Sequence, residues 1–245
     1  MSHYLSHQSE LLENLRDSLK LMESTLVEQF GDTTAQQISD RVLSEFKALI
    51  PEIPYIEGRR AKLLNFFLLV TAQEVAAFRA LEQFGQTPPQ AWELCHKALR
   101  LSTQKIPRWK LWILQKLMFS KPIHWLMEYR GKRGHTEKFG GFEIEYLSSD
   151  GEDFELGVNY HKCANYKFAM EHGAEAFAPY ICMSDVALSD AFGWGLKRTQ
   201  TLADGCTHCD FRMRKGAPTQ LSSRTPEVQQ TIEKIAANEH LEQIV

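Results

Sequence analysis

An α+β fold is predicted from three features of the chain. Apolar residues recur three or four apart up to about Met127, short segments alternate from Phe142 onward, and helical sequence separates two pairs of those segments. The expectation is a helical N-terminal half followed by a small antiparallel sheet packed with helices. Residues 1–130, 131–216 and 217–245 would then be regions of one integrated domain, and 245 residues suffice to bury a sizeable core.

The first helix runs from about Ser9, with Leu12, Leu15, Leu19, Met22, Leu26 and Phe30 on one face and Gly31 at its end. A second follows, with Thr34 as cap and Ile38, Val42, Phe46 and Leu49 as its stripe, until Pro51 and Pro54 stop it. The third, from about Gly58 to Phe84, is apolar around much of its circumference and reads as the central helix. Its most apolar run, Leu63 to Val70, is shorter than the about 20 residues a membrane span needs, so no transmembrane segment is expected. Gly85 closes this helix. Thr87-Pro88-Pro89 opens the next, which carries Trp92, Cys95 and Leu99 at helical spacing, and Cys95 reads as a small core residue.

Between Lys105 and Lys138 stand nine lysines and arginines and only two acids, Glu128 and Glu137, interleaved with five aromatic residues. This segment reads first as an amphipathic helix with a solvated basic side. It reads second as a surface for acidic lipid or nucleic acid, and third as a local attraction for an anionic substrate. After Gly140-Gly141, FEIEY and FELGVNY alternate on either side of Ser148-Ser149-Asp150-Gly151, a hairpin signal. Helical sequence from about Ala164 to Leu188 leads to two more strands, LKRTQTLA and CDFRMR, on either side of Asp204-Gly205. Ala217 to Ser223 is loop-like, and Thr225-Pro226-Glu227 starts a last helix that packs on the body or on a second copy, so a homodimer is one expectation.

The net charge of -3 argues against a dedicated nucleic-acid binder. The polar start MSHYLSHQSE lacks the basic and apolar parts of a secretory signal, and the expected location is cytoplasmic. Five cysteines, an odd number, then read as reduced thiols with catalytic, ligating or packing roles.

Four of the five cysteines fall between Cys163 and Arg212. Cys182 and Asp185 are three apart on helical sequence, about one turn from each other. Cys209 and Asp210 are adjacent on a strand, so they point to opposite faces of the sheet. Cys163 ends the second strand. If the second and fourth strands are neighbours, Cys163, Cys182, Asp185 and Cys209 converge.

At these residues the chain resembles the L-2-amino-thiazoline-4-carboxylic acid hydrolase family. The residues that carry the resemblance are Cys163, Gly173, Pro179, Cys182 with Asp185, Leu196-x-Arg198-Thr199, Leu202-Ala203-x-Gly205 and Cys209-Asp210-Phe211-Arg212. With the helical front half it covers about Glu10 to Lys215. The resemblance implies hydrolytic opening of a cyclic isothiourea on a small, carboxylate-bearing substrate, without a cofactor. In such a reaction a thiolate attacks the amidinium carbon, an acid holds the amidinium group and a base takes a proton from water. Cys209 is the expected nucleophile, with Asp185 or Asp210 as amidinium partner and Arg198 or Arg212 on the substrate carboxylate. His161 or His208 is the expected proton shuttle, on sequence proximity to a cysteine alone.

Other readings of the same residues remain. Cys163, Cys182 and Cys209 with Asp185 would make a tetrahedral set for zinc, and thiolates also suit an iron-sulfur cluster. Cys206-x-x-Cys209 is an isolated C-x-x-C ahead of strand-like sequence, which disfavours redox chemistry of the thioredoxin type. Cys163 and Cys182 could instead be buried, Asp185 could cap or pair, and Arg198 and Arg212 could pair with acids across the sheet. The rival function is a non-catalytic small-molecule or metal-binding sensor whose helical half relays to a partner.

Overall fold

The computed structural model describes residues 3–58 and 61–242, with side chains described up to residue 235 in the last helix. Residues 1 and 2 of the polar start, and Arg59–Arg60 of the expected third helix, lie outside the described residues. The helices are α1 (Gln8–Phe30), α2 (Asp32–Leu49), α3 (Lys62–Glu82), α4 (Pro88–Gln104), α5 (Arg108–Met118), α6 (Lys121–Gly131), α7 (Ala164–Glu171), α8 (Ala178–Ile181), α9 (Asp185–Phe192) and α10 (Pro226–Glu242). The strands are β1 (Thr136–Phe139), β2 (Phe142–Leu147), β3 (Leu156–Lys162), β4 (Leu196–Arg198), β5 (Cys209–Met213) and β6 (Gln220–Leu221). The class is α+β as expected, with a helical first half and a small sheet packed with helices. The chain divides into two compact units, residues 1–105 with 164–181 and residues 106–163 with 182–245.

The first unit is helical. Leu15, Met22 and Leu26 of α1 and Ile38, Val42 and Phe46 of α2 are buried, as their spacing requires. The expected Thr34 cap does not form. Gly31 is the N-cap, α2 begins at Asp32, and Thr34 lies inside the first turn. α3 packs against α2, α4 and α7, with Leu68, Ala72, Val75 and Ala76 fully buried. An 18-residue window of this 21-residue helix reaches a mean hydropathy of 1.3, so the helix is long and apolar enough by composition to cross a bilayer, more than the short run Leu63–Val70 suggests. Half of that window is buried against its neighbours, as in a core helix. Buried Glu45 on α2 takes Arg41 at 2.5 Å and Arg79 of α3 at 2.9 Å, so its charge is paired. Thr87 opens α4 by donating its N–H to Gln90 Oε1 at 2.9 Å. Cys95 is buried on α4, and burial, with Glu74 nearby, lifts its thiol well above the usual range, which fits a core role.

The second unit is built on the six-stranded sheet, ordered β1-β2-β3-β5-β4-β6. All pairs are antiparallel except β4 with β6, so the sheet is mixed rather than wholly antiparallel. Four parts differ from expectation. Thr136–Phe139 is a strand joined to β2 by Gly140-Gly141, both at positive φ, the two-residue hairpin turn that glycine favours. Of LKRTQTLA only Leu196–Arg198 pairs as a strand, and Leu202–Asp204 is a 3-10 turn. The stretch Ala164–Leu188 is not one helix but α7, α8, a 3-10 turn at Cys182–Ser184 and the start of α9, with α7 ending at Glu171 and Gly173 at φ +70 in the turn that follows. The expected basic helix is likewise two, α5 and α6, divided at Phe119–Ser120.

Glu128 fastens α6 to the β2–β3 connection. Its carboxylate accepts from the Ser149 N–H and hydroxyl, each at 2.5 Å, and from the Ser148 hydroxyl at 2.8 Å. Gly131 then passes so close to β2 that a Cβ there would lie 2.2 Å from the Leu147 carbonyl carbon. Asp204 anchors the start of α10 through the Ser223 hydroxyl and the Thr225 N–H and hydroxyl.

Candidate active site

Strand alternation sorts the expected site residues into two groups. Cys209 pairs with Tyr160 across β5 and β3, and Phe211 with Val158, so these four side chains share one face. On β4, Leu196 pairs with Met213, which places Leu196 and Arg198 on that same face. Asp210, Arg212, Asn159 and His161 occupy the alternate positions and project from the other side.

On the first face, Arg198 is 2 % exposed and organises the surroundings. Its Nη1 donates to the Cys182 carbonyl at 2.7 Å and to Asp185 Oδ2, and its guanidinium lies 5.6 Å from the Phe211 ring centroid. The 3-10 turn supplies Cys182 and the first turn of α9 supplies Asp185, so Arg198 holds the junction of the two elements. Arg198 Nε is buried and has no hydrogen-bond partner among the described residues. A quarter of the Asp185 side chain stays exposed.

Desolvation dominates the electrostatics of this face. It lifts the Asp185 carboxyl above the usual carboxylate range although Arg198 works against it. The Cys209 thiol is pushed up to about 12 by burial, with the Cys163 and Asp185 charges adding to the rise and the Leu202 N–H, 3.2 Å from Sγ, opposing it. Burial raises Cys182 well above the thiol range, and the charges of Cys209, Cys163 and Asp185 push in the same direction. Burial also raises the Tyr160 phenol, with Cys163, Asp185 and Cys209 contributing. These mutual influences place Cys163, Cys182, Cys209, Asp185, Arg198 and Tyr160 in one electrostatic neighbourhood.

His161, His208, Asp210 and Arg212 are not part of it. Asp210 accepts the Thr199 N–H at 2.8 Å, the Thr199 hydroxyl at 2.6 Å and the Gln200 N–H at 2.8 Å, a set that ties the end of β4 to β5. Arg212 donates to the Val158 carbonyl at 3.1 Å and to Asn159 Oδ1 at 3.0 Å. Glu145 takes Asn159 Nδ2 at 2.8 Å and His161 Nε2 at 2.9 Å, and the His161 and His208 rings lie 5.4 Å apart. The physical reason for the separation is the two-residue period of β3 and β5: a neighbour in sequence on a strand is on the opposite side of the sheet.

Among the described residues no group of three or more His, Cys, Asp or Glu side chains is arranged to hold a metal ion. Of the expected ligand set, Asp185 is engaged by Arg198 and the Cys209 sulfur accepts the Leu202 N–H. No cysteine is in a disulfide. Cys206 lies in the turn ahead of β5, with its N–H bonded to the Thr201 carbonyl at 3.1 Å.

Tyr160 is the residue of the site that sequence reasoning missed. The signal was present: with Val158 inward on β3, the strand period sends Tyr160 to the same side.

A sequence model of the L-2-amino-thiazoline-4-carboxylic acid hydrolase family matches residues 69–213. This span includes every strand from β1 to β5 and all the residues of the thiol-bearing face. In the other two comparisons no curated protein and no solved structure matched the chain.

Proposed function

The chain belongs to the L-2-amino-thiazoline-4-carboxylic acid hydrolase family, and from that premise we propose that it hydrolyses a small cyclic amidine or isothiourea bearing a carboxylate, with Cys209 as nucleophile. The observation that carries this reading is the gathering of Cys209 and Arg198 on one sheet face with Asp185 of α9 bonded to Arg198, whose Nε–H has no partner among the described residues. A buried donor without an acceptor is costly, and a ligand oxygen would relieve it.

An amidinium group fits the remaining features. Asp185 Oδ1 accepts the amidinium N–H, and the substrate carboxylate takes Arg198 Nε. The cation thereby enters a neighbourhood where burial disfavours the charged forms of the Cys182 and Cys209 thiols and of the Tyr160 phenol, and it lowers the Cys209 thiol where a nucleophile is needed. Activation by the substrate replaces the intrinsically acidic thiolate expected of a cysteine nucleophile.

In the first step the Cys209 sulfur bonds to the amidine carbon and the ring carbon–sulfur bond breaks. The proton lost from the Cys209 thiol ends on the departing ring sulfur, with Tyr160 as donor and then acceptor. In the second step water adds its oxygen to the same carbon and the bond to Cys209 breaks. One water proton returns to the Cys209 sulfur and the other stays on the product nitrogen, leaving a carbamoyl group. His161 and His208 take no part, because they project from the opposite side of the sheet.

The test is turnover of 2-amino-thiazoline-4-carboxylate with quenched samples weighed intact by mass spectrometry. The expected result is ring opening and a covalent adduct of one substrate mass that is absent in Cys209→Ala. Full activity in Cys209→Ala would overturn the assignment of the nucleophile, and no turnover of any cyclic amidine by the folded protein would overturn the reaction.

A further inference from the structure

α5 and α6 are unusual for surface helices because neither has a fully buried side chain, yet both are rich in large apolar residues. On α5, Trp109, Trp112, Ile113 and Leu117 follow helical spacing along one stripe, and Trp109, Trp112 and Leu117 are 60–61 % exposed. On α6, Trp125, 66 % exposed, stacks on exposed Tyr129 one turn later. The opposite side of α5 carries the packing of that helix, where Gln115 donates to the Gly193 carbonyl at 3.0 Å.

The sequence around these side chains is strongly basic, with Arg130 paired to Glu137 and Lys132 to Asp150, each at 3.1 Å, and the other cations in excess. Between Arg108 and Arg133 stand seven lysines and arginines, Arg108, Lys110, Lys116, Lys121, Arg130, Lys132 and Arg133, against one acid, Glu128. That acid is turned toward Ser148 and Ser149. Lys110 and Lys116 lie over the Trp109 and Trp112 rings at 5.6 and 5.4 Å, and Arg133 over Tyr129 at 4.2 Å. Indole and phenol rings with flanking cations are the side-chain set that partitions into the headgroup layer of a bilayer, where the rings insert and the cations meet anionic headgroups.

We propose that the exposed stripes of α5 and α6 dock the protein on a bilayer surface containing anionic lipid. A second copy is a poorer occupant, because a two-fold contact through this surface brings the same excess of cations face to face. The basic and apolar residues together match an anionic lipid surface in both charge and hydrophobicity. Docking does not rest on the Cys209 chemistry.

Flotation of the full chain with vesicles tests this, one set of phosphatidylcholine alone and one carrying phosphatidylglycerol as a third of its lipid. The expected result is flotation with the anionic vesicles only, a blue shift of tryptophan emission, and release as salt is raised. Lys110→Glu with Lys116→Glu should lower partitioning about tenfold or more. Trp112→Glu with Trp125→Glu should do likewise. All four sites are exposed, so unchanged melting temperatures will show that the variants fold. Inorganic phosphate alone should leave the emission unchanged. Absence of binding to anionic vesicles at low salt would overturn the proposal. So would a phosphate-induced emission shift, tighter binding to a single-stranded oligonucleotide, or a dimer in light scattering that Trp112→Glu dissolves.

Discussion

Arg198 and Asp185 are a buried ion pair in which the guanidinium also grips the backbone, through the Cys182 carbonyl 2.7 Å away. Replacing Arg198 by Met leaves a desolvated carboxylate and an orphaned carbonyl, and should cost about 3–5 kcal/mol at pH 8. The Asp185 carboxyl is already raised by burial, and loss of Arg198 raises it further. An acid whose folded value is raised favours the folded state at low pH, and this contribution is lost as pH rises through the folded value. The penalty in Arg198→Met should therefore be smaller at pH 4.5 than at pH 8, which denaturant melts at the two values will show. An equal penalty at both values would contradict the pairing.

With Cys209 as the proposed nucleophile, its thiol, pushed up to about 12, should set the pH dependence of the reaction. Because kcat/KM reports the free enzyme, it should climb about tenfold per unit from pH 7 to 9 while the substrate stays protonated. Iodoacetamide should label native Cys209 slowly over the same range. A plateau from pH 7 would mean a thiolate already formed without substrate.

Glu128 behaves in the opposite sense to Asp185. Burial works to raise its carboxyl, but the hydrogen bonds from Ser149 and Ser148 outweigh this and hold it below the usual range. Its contribution is present above the unfolded carboxylate value and is lost as pH falls through the folded one. Glu128→Gln should cost about 1–2 kcal/mol at pH 7, allowing for partial solvent screening, and less at pH 4. Thermal melts of the two proteins across this range give the comparison.

Gly131→Ala should destabilise by about 1–3 kcal/mol, since the added methyl meets backbone at 2.2 Å rather than a movable side chain. Hydrogen exchange should show the loss at the α6–β2 contact first. Unchanged protection there would mean the helix shifts without cost.

Asp210 makes its three hydrogen bonds to Thr199 and Gln200, immediately after the strand that carries Arg198. Asp210→Ala should therefore raise KM more than it lowers kcat, by loosening Arg198, and should leave Cys209 alkylation intact. A loss confined to kcat would instead give Asp210 a role at the reacting atoms.

The helical half was legible because its signals are local. Leu15, Met22 and Leu26, then Ile38, Val42 and Phe46, follow one period with no competing partner, and they are buried as that period demands. Thr34 was misread because a glycine at position 31 already ends one helix and starts the next. β1 and β6 were missed for a different reason. Thr136–Phe139 has no wholly buried side chain, and the two residues of β6 are defined by pairing with β4 from far along the chain. In the site, the opposed placement of Cys209 and Asp210 could be read from adjacency alone. His161 alternates with Tyr160 on β3 and Cys163 lies beyond the end of that strand, so nearness in sequence to Cys163 does not carry His161 to the thiol side.

Under the proposed chemistry, the pairing of Tyr160 with Cys209 and of Asn159 with Asp210 makes strand alignment a functional quantity. Sliding β5 by one residue against β3 would deliver Asp210 and Arg212 to the thiol side and expel Cys209 and Phe211, with no change in composition. A single inserted or deleted residue within Cys209–Met213 is thus equivalent to replacing the proposed site, whereas the turn at Gly205–His208 lies outside the strand pairing and is exposed at Gly205 and Thr207. Length variation among functional relatives should accumulate in that turn and stop at the strand.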